Sequence, residues 1–248
     1  GDVWVCSGQS NMWWPVATRP RSRELIGTEN PSMRLFTVPE RKSDVPQRDV
    51  EGQWLECGPE SLVGFSAVAY YFGREIQTTQ KVPVGLVHSS FGGSGIEAWI
   101  STDAFAQAPE LADVRERNVE AARRAAQSRI RLQPVIDRYE AAVVRAKRDG
   151  TPPPEPPRGM IARPSSHGHL HNGMIAPLQL LGIRGVLWYQ GEANTHRADD
   201  YQSLLTTLIH SWRREWGQDE FPFLVVQLAP FQKIVTQPQD SDWARLRE

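Results

Sequence analysis

Two cysteines in 248 residues, Cys6 and Cys57, with no Cys-x-x-Cys pair between them, rule out both a disulfide framework and a zinc ribbon. A single Cys6–Cys57 bridge and two reduced, buried thiols are the states left, and the second is the plainer reading. No apolar run is long enough to cross a bilayer, and no signal peptide precedes the first structured segment. The chain opens at Gly1 and passes straight into a strand-like stretch, as a chain cut at its N-terminus would, so any targeting segment is expected to be lost. A formal net charge of −1 provides no bulk attraction to nucleic acid or to an anionic membrane. Nucleotide-binding loops are missing too. Gly92-Gly93-Ser94-Gly95 has neither the Lys-Ser/Thr that completes a phosphate loop nor the Gly-x-Gly-x-x-Gly spacing of dinucleotide sites. The Gly-x-Ser-x-Gly elbow of α/β-hydrolases fails as well, because Met12 stands where its second glycine belongs.

Hydrophobic residues make up 40% and charged residues 23% of the chain, the balance of a globular protein. The nine tryptophans are more than this size usually carries. Core packing explains most of them, and stacking on a sugar ring is the functional alternative. Asp2–Cys6, Met33–Val38, Val82–Ser89, Ile183–Tyr189 and Phe223–Leu228 read as short, mostly apolar strands. Ser66–Gln77, capped by Ser66, and Asp200–Trp216, stopped by Gly217, read as helices. Strands buried on both faces and alternating with helices predict an α/β fold, a flavodoxin-like three-layer sandwich with a central parallel sheet. Residues 103–149, rich in Ala, Arg and Glu, read as one or two exposed helices, and the proline run 152–157 as a stiff spacer. The expectation is one domain, 1–248, carrying 103–157 as an insertion.

Sites in open parallel sheets form beyond the carboxyl ends of the strands. Three polar or glycine-rich turns fall there: Gly8–Met12, Ser90–Gly95 and Gln190–Asn194. Each suits one part of an acyl-transfer site. Ser10 brings a hydroxyl at a strand-to-helix junction, where its own N–H and the positive helix end face a developing oxyanion. Gly92 and Gly93 let backbone N–H groups approach a ligand. Gln190 and Asn194 offer neutral amide donors. Each has an ordinary reading as cap, turn or brace, and the argument lies in their convergence. His167, His169 and His171 alternate along Ser166–Asn172. On a strand they would share a face fit for zinc, but a polar loop leading into the Asn172-Gly173 turn is the plainer reading.

These turns carry a family resemblance. Gly1–Met12, Phe91–Trp99, His171–Pro177 and Trp188–Asn194 resemble, in order, four sequence blocks of the sialate O-acetylesterase family within the SGNH hydrolases. The resemblance implies the SGNH hydrolase fold and hydrolysis of acetyl esters on sugars through a serine nucleophile and an acyl-enzyme, with no metal or organic cofactor. Ser10 would be the nucleophile. The N–H groups of Ser10 and Gly93 and the Gln190 amide would form the oxyanion hole, with Asn194 as second choice for the amide. Glu192 would brace the site. The family's Asp-x-x-His block, which carries the base and its orienting acid, has no match, since no histidine follows His210. The base is therefore expected beyond Glu248 and the chain alone is expected to be nearly inactive, with His196 the substitute inside it. The resemblance also implies an O-acetylated carbohydrate as partner and a secreted, periplasmic or lysosomal location. A non-catalytic carbohydrate-binding protein retaining the fold is the alternative.

Overall fold

The computed structural model describes residues 1–18, 29–157, 167–218, 220–231, 237 and 240–248, with the backbone alone at 122, 125 and 129. Ser166, the first residue of the histidine-rich stretch, and part of the Pro-containing region after Val16 lie outside them. The described chain forms two compact units, Gly1–Ala108 with His167–Glu248, and Pro109–Ser166.

The first unit is built on a six-stranded sheet. Its strands are β1 (Asp2–Gly8), β2 (Asn30–Thr37), β3 (Leu55–Cys57), β4 (Val84–Ser90), β5 (Gly185–Tyr189) and β6 (Phe223–Val225), in the spatial order β3-β2-β4-β1-β5-β6. Among the described strands, four of the five pairings are parallel and β2–β3 is antiparallel. β4 lies between β2 and β1, so the connection from the edge strand β3 to β4 passes β2 on its way back toward the centre. β1 is central and buried because Trp4, Val5, Cys6 and Ser7 all avoid water. Successive side chains leave a strand on opposite faces. Trp4 and Cys6 therefore join Leu35, Leu86 and Leu187 in one core with Ala69 and Tyr70. The opposite face carries Trp188 of β5, which meets the Trp212 ring edge-on at 5.9 Å.

The helices follow local chemistry. α1 (Ser10–Trp13) is a single turn and α2 (Pro59–Val63) begins at a proline. α3 (Ala67–Gln80) starts where the Ser66 hydroxyl accepts the Ala69 N–H, the capping the sequence suggests, and ends at a left-handed Lys81. α4 (Thr102–Gln107) is capped in the same way by Ser101. α6 (Ala198–Trp216) buries Tyr201, Leu204, Leu208, Trp212 and Trp216, and Gly217 closes it at φ 63°. α7 (Asp242–Arg247) lies at the end. β6 is shorter than the sequence pattern because it is an edge strand with one neighbour, and β5 ends at Tyr189.

The second unit is dominated by α5 (Ala112–Asp149), one 38-residue helix where one or two were expected. Thr151–Pro157 follows without a regular element.

Cys6 and Cys57 are separate, buried thiols in one apolar cluster, and burial pushes both above their ordinary pKa. No disulfide joins them in this structure.

Candidate active site

The sheet register assembles the site. Gly8, the last residue of β1, lies level with Ser90 of β4 on one side and Tyr189 of β5 on the other. The three turns expected to converge therefore leave the sheet at one height. Gly8 is required there: its φ is +142°, and a Cβ would fall 2.0 Å from the Tyr189 carbonyl oxygen. The Gln9 N–H donates to that same carbonyl at 3.0 Å, and Phe91 N–H donates to Gly8 O at 3.1 Å.

Ser10 opens α1 and is partly exposed. Its helix has four residues, too few for a macrodipole of useful size, so any anion stabilisation falls to individual N–H groups. Gly93 adopts φ +68°, and a Cβ there would meet nothing within 4 Å. The turn is thus open to a ligand at its backbone. Asn11 and Glu192 tie the first turn to the third, with Asn11 Nδ2 donating to Glu192 Oε1.

Behind this rim lies a sealed polar floor. Gln190 Nε2 donates to Gln9 Oε1 at 3.1 Å, Ser94 O at 3.0 Å and Asn194 Oδ1 at 2.8 Å. Gln9 Oε1 also accepts the N–H groups of Gly191 and Ala193 at 3.4 and 3.3 Å. Asn194 is fully buried. Its Oδ1 accepts the Ile96 N–H at 3.0 Å, and its Nδ2 donates to Glu97 Oε2 at 3.0 Å. These partners define the amide: a backbone N–H needs the oxygen, and a carboxylate needs the nitrogen. The other Glu97 oxygen pairs with Arg197 Nη2. The Tyr201 hydroxyl donates toward both Gln190 O and Gln190 Oε1 at 2.9 Å and accepts Trp188 Nε1 at 3.3 Å. Burial raises the Tyr201 pKa, so it stays a neutral donor.

The structure ties Gln190 to Asn194, to Gln9 beside Ser10 and to Ser94 beside Gly93, and gives the four candidate residues different environments. Ser10 and Gly93 face outward, whereas both amides are buried and bonded. His196 is exposed on the turn after Asn194, and no imidazole among the described residues hydrogen-bonds to Ser10. Sequence reasoning missed Gln9, Glu97, Arg197 and Tyr201. Gln9 and Glu97 sit inside the very motifs that were singled out. Arg197 and Tyr201 had no such marker, because their role depends on which loop end they meet.

The histidine run does not form a shared strand face. Gly168 at φ +71° breaks it, and His171–Ile175 is a π-helical turn. His167 stacks on Phe105 at 4.1 Å, and His171 Nε2 meets Glu215 Oε2 at 2.7 Å. Among the described residues no group of three or more His, Cys, Asp or Glu could hold a metal. The same block anchors a neighbouring loop: Asn172 O accepts the Gln47 N–H at 2.8 Å, and Asn172 Nδ2 donates to Ser43 O at 3.3 Å.

With this geometry in view, the comparisons with known proteins are specific. A family model described as carbohydrate esterase, sialic acid-specific acetylesterase, matches residues 161–245. The chain is 35% identical over 254 residues to a sialate O-acetylesterase from Rattus norvegicus, covering 93% of this chain and 44% of the rat protein. The human protein of that name is 33% identical over 247 residues, covering 92% of this chain and 40% of its own length. The chain therefore spans less than half the length of these relatives. Among solved structures, a carbohydrate acetylesterase from Xanthomonas citri superposes with a TM-score of 0.72 at 29% identity, covering all of this chain and 46% of that one. The shared fold is the mostly parallel, helix-covered sheet of these esterases, as the sequence blocks implied.

Proposed function

We propose that this chain is the nucleophile-bearing part of a carbohydrate O-acetylesterase, one that acts on O-acetylated sialic acid or a related sugar. The reading rests on one observation: the register of β1 with β4 and β5 brings the turns that carry Ser10, Gly92–Gly93 and Gln190 out of the carboxyl ends of three adjacent strands. The relatives' names and the fold agree with it.

Ser10 Oγ attacks the acetyl carbonyl, and a general base takes its proton. The carbonyl oxygen becomes an oxyanion held by the Ser10 and Gly93 N–H groups. The sugar hydroxyl leaves with a proton returned by the base, and water then cleaves the acetyl-serine. The Gln190 amide completes the hole. Its nitrogen has three acceptors for two hydrogens, so its contact with Gln9 Oε1 can be exchanged for the oxyanion at small cost. Asn194 acts through Gln190, since its own amide is occupied on both sides. Removing one such donor typically lowers turnover ~10²–10³-fold.

The base is proposed to come from an Asp-x-x-His block outside these 248 residues. A serine hydroxyl without an adjacent base is a weak nucleophile, so the chain alone should turn over little. Among the described residues no helix is long and apolar enough to cross a membrane; a secreted, periplasmic or lysosomal setting suits a glycan substrate. The test is hydrolysis of p-nitrophenyl acetate by the whole natural polypeptide and by its Ser10→Ala variant. Full activity in the variant overturns the nucleophile. Sugar binding with no turnover in the unmodified polypeptide favours a binding protein instead.

A further inference from the structure

The tryptophans divide by what they touch. Trp4, Trp99, Trp188, Trp212 and Trp216 are buried. Trp54 tilts against Phe36 with centroids 5.4 Å apart, and Trp243 stacks on Phe231 at 5.3 Å. Trp13 differs from all of these. It is 48% exposed and makes no ring contact among the described residues.

Its position relative to Ser10 is set by the helical turn. Trp13 N–H donates to Gln9 O at 3.2 Å, and Trp14 N–H donates to Ser10 O at 3.1 Å. Residues three and four apart share a helix face. Trp13, three residues after Ser10, therefore shares the face of α1 that carries Ser10, while Met12 is buried in the core.

We propose that Trp13 is the platform on which the sugar ring lies while its acetyl carbonyl reaches Ser10. This deepens the esterase reading and rests on it for the identity of the ligand. An indole presents a broad apolar face with negative charge density. The C–H face of a pyranose is apolar and slightly positive, so stacking removes both faces from water while the sugar hydroxyls at the rim stay hydrated. Trp has only two side-chain torsions, so the platform loses little entropy on binding. A small aliphatic acetate, with no ring, would gain nothing from it.

The test is calorimetric titration of the whole natural polypeptide in the Ser10→Ala background, where the ester is not consumed, with an O-acetylated methyl sialoside. Trp13→Ala should raise Kd roughly tenfold, and Trp13→Phe should restore most of the affinity. An unchanged Kd in Trp13→Ala overturns the proposal, as does a loss that Trp13→Phe leaves unrepaired or a parent that binds no sialoside. The esterase reading fails by a different measurement. If p-nitrophenyl acetate hydrolysis survives Ser10→Ala, the nucleophile is wrong, while a tenfold effect of Trp13→Ala on Kd would still stand.

Discussion

The two layers of the candidate site differ in how much freedom their polar groups retain. The rim, Ser10 with the Gly92–Gly93 turn, is open to solvent. The floor, Gln9, Gln190, Asn194, Glu97 and Tyr201, is buried and linked by hydrogen bonds from one loop to the next. Ser10 and Gly93 would meet a changing substrate without giving up a fixed side-chain partner, whereas Gln190 would reach it only by exchanging one of its three acceptors. Groups that hold three loops in register must be committed to partners, because a buried polar atom left unpaired costs ~1–3 kcal/mol. Rim substitutions should therefore affect chemistry with little effect on stability, and floor substitutions should affect stability first.

The largest expected effect separates the layers most sharply. Ser10→Ala should lower turnover of an acetate ester by the whole polypeptide ~10⁴-fold or more. Its denaturation midpoint should barely move, because Ser10 is partly exposed and its hydroxyl makes no hydrogen bond among the described residues. A large stability loss would put Ser10 in the floor. Glu97→Ala should do the reverse: it removes the partner of the partly exposed Arg197 and frees the Asn194 amide, at a cost of ~3 kcal/mol, the low end for breaking a buried pair. Urea unfolding measures it, and a loss below ~1 kcal/mol would dissolve the distinction.

The next effect is a pH dependence beneath the glycine turn. His88 is buried, with Nε2 2.7 Å from the Ser90 hydroxyl, and burial lowers its pKa from 6.5 to about 4. Its folded pKa is depressed, so the unfolded chain takes up the proton first as pH falls. The associated stability is fully present above pH 6.5 and is lost as pH drops toward 4, by up to ~3 kcal/mol. Unfolding free energies measured across that window should show the slope, and His88→Gln should flatten it. The smallest effect belongs to the rim again. Gly93→Ala meets no neighbour, so it should cost only the left-handed backbone penalty of ~1 kcal/mol. A much larger loss would mean that this turn is braced rather than open.

The patterned elements were legible before any coordinates. Trp4–Cys6 reads as a buried strand because it is apolar on both faces, and Ser66 and Gly217 mark helix ends because their local chemistry is nearly independent of context. The antiparallel β3 was not legible: three residues, Leu55–Cys57, are too few to set a period. The histidine stretch was open to two readings, a strand face and a polar loop, for the opposite reason. Alternation suggests a strand, but Gly168 and the contacts of His167 and His171 with Phe105 and Glu215 turn it into a helical corner.

For the site, the sequence by itself determined the reactive inventory: a serine after a strand, a glycine turn that admits a backbone approach, and amides after a third strand. Those are properties of residue type and local spacing. Only the tertiary structure decided which of them are committed. Gln190 and Asn194 carry the same functional group as any exposed amide. Gln9, Ser94, Ile96 and Glu97, brought from distant parts of the chain by the parallel register of β1 with β4 and β5, occupy their hydrogen-bonding capacity. Burial and partner geometry are long-range quantities, and no window of neighbouring residues contains them.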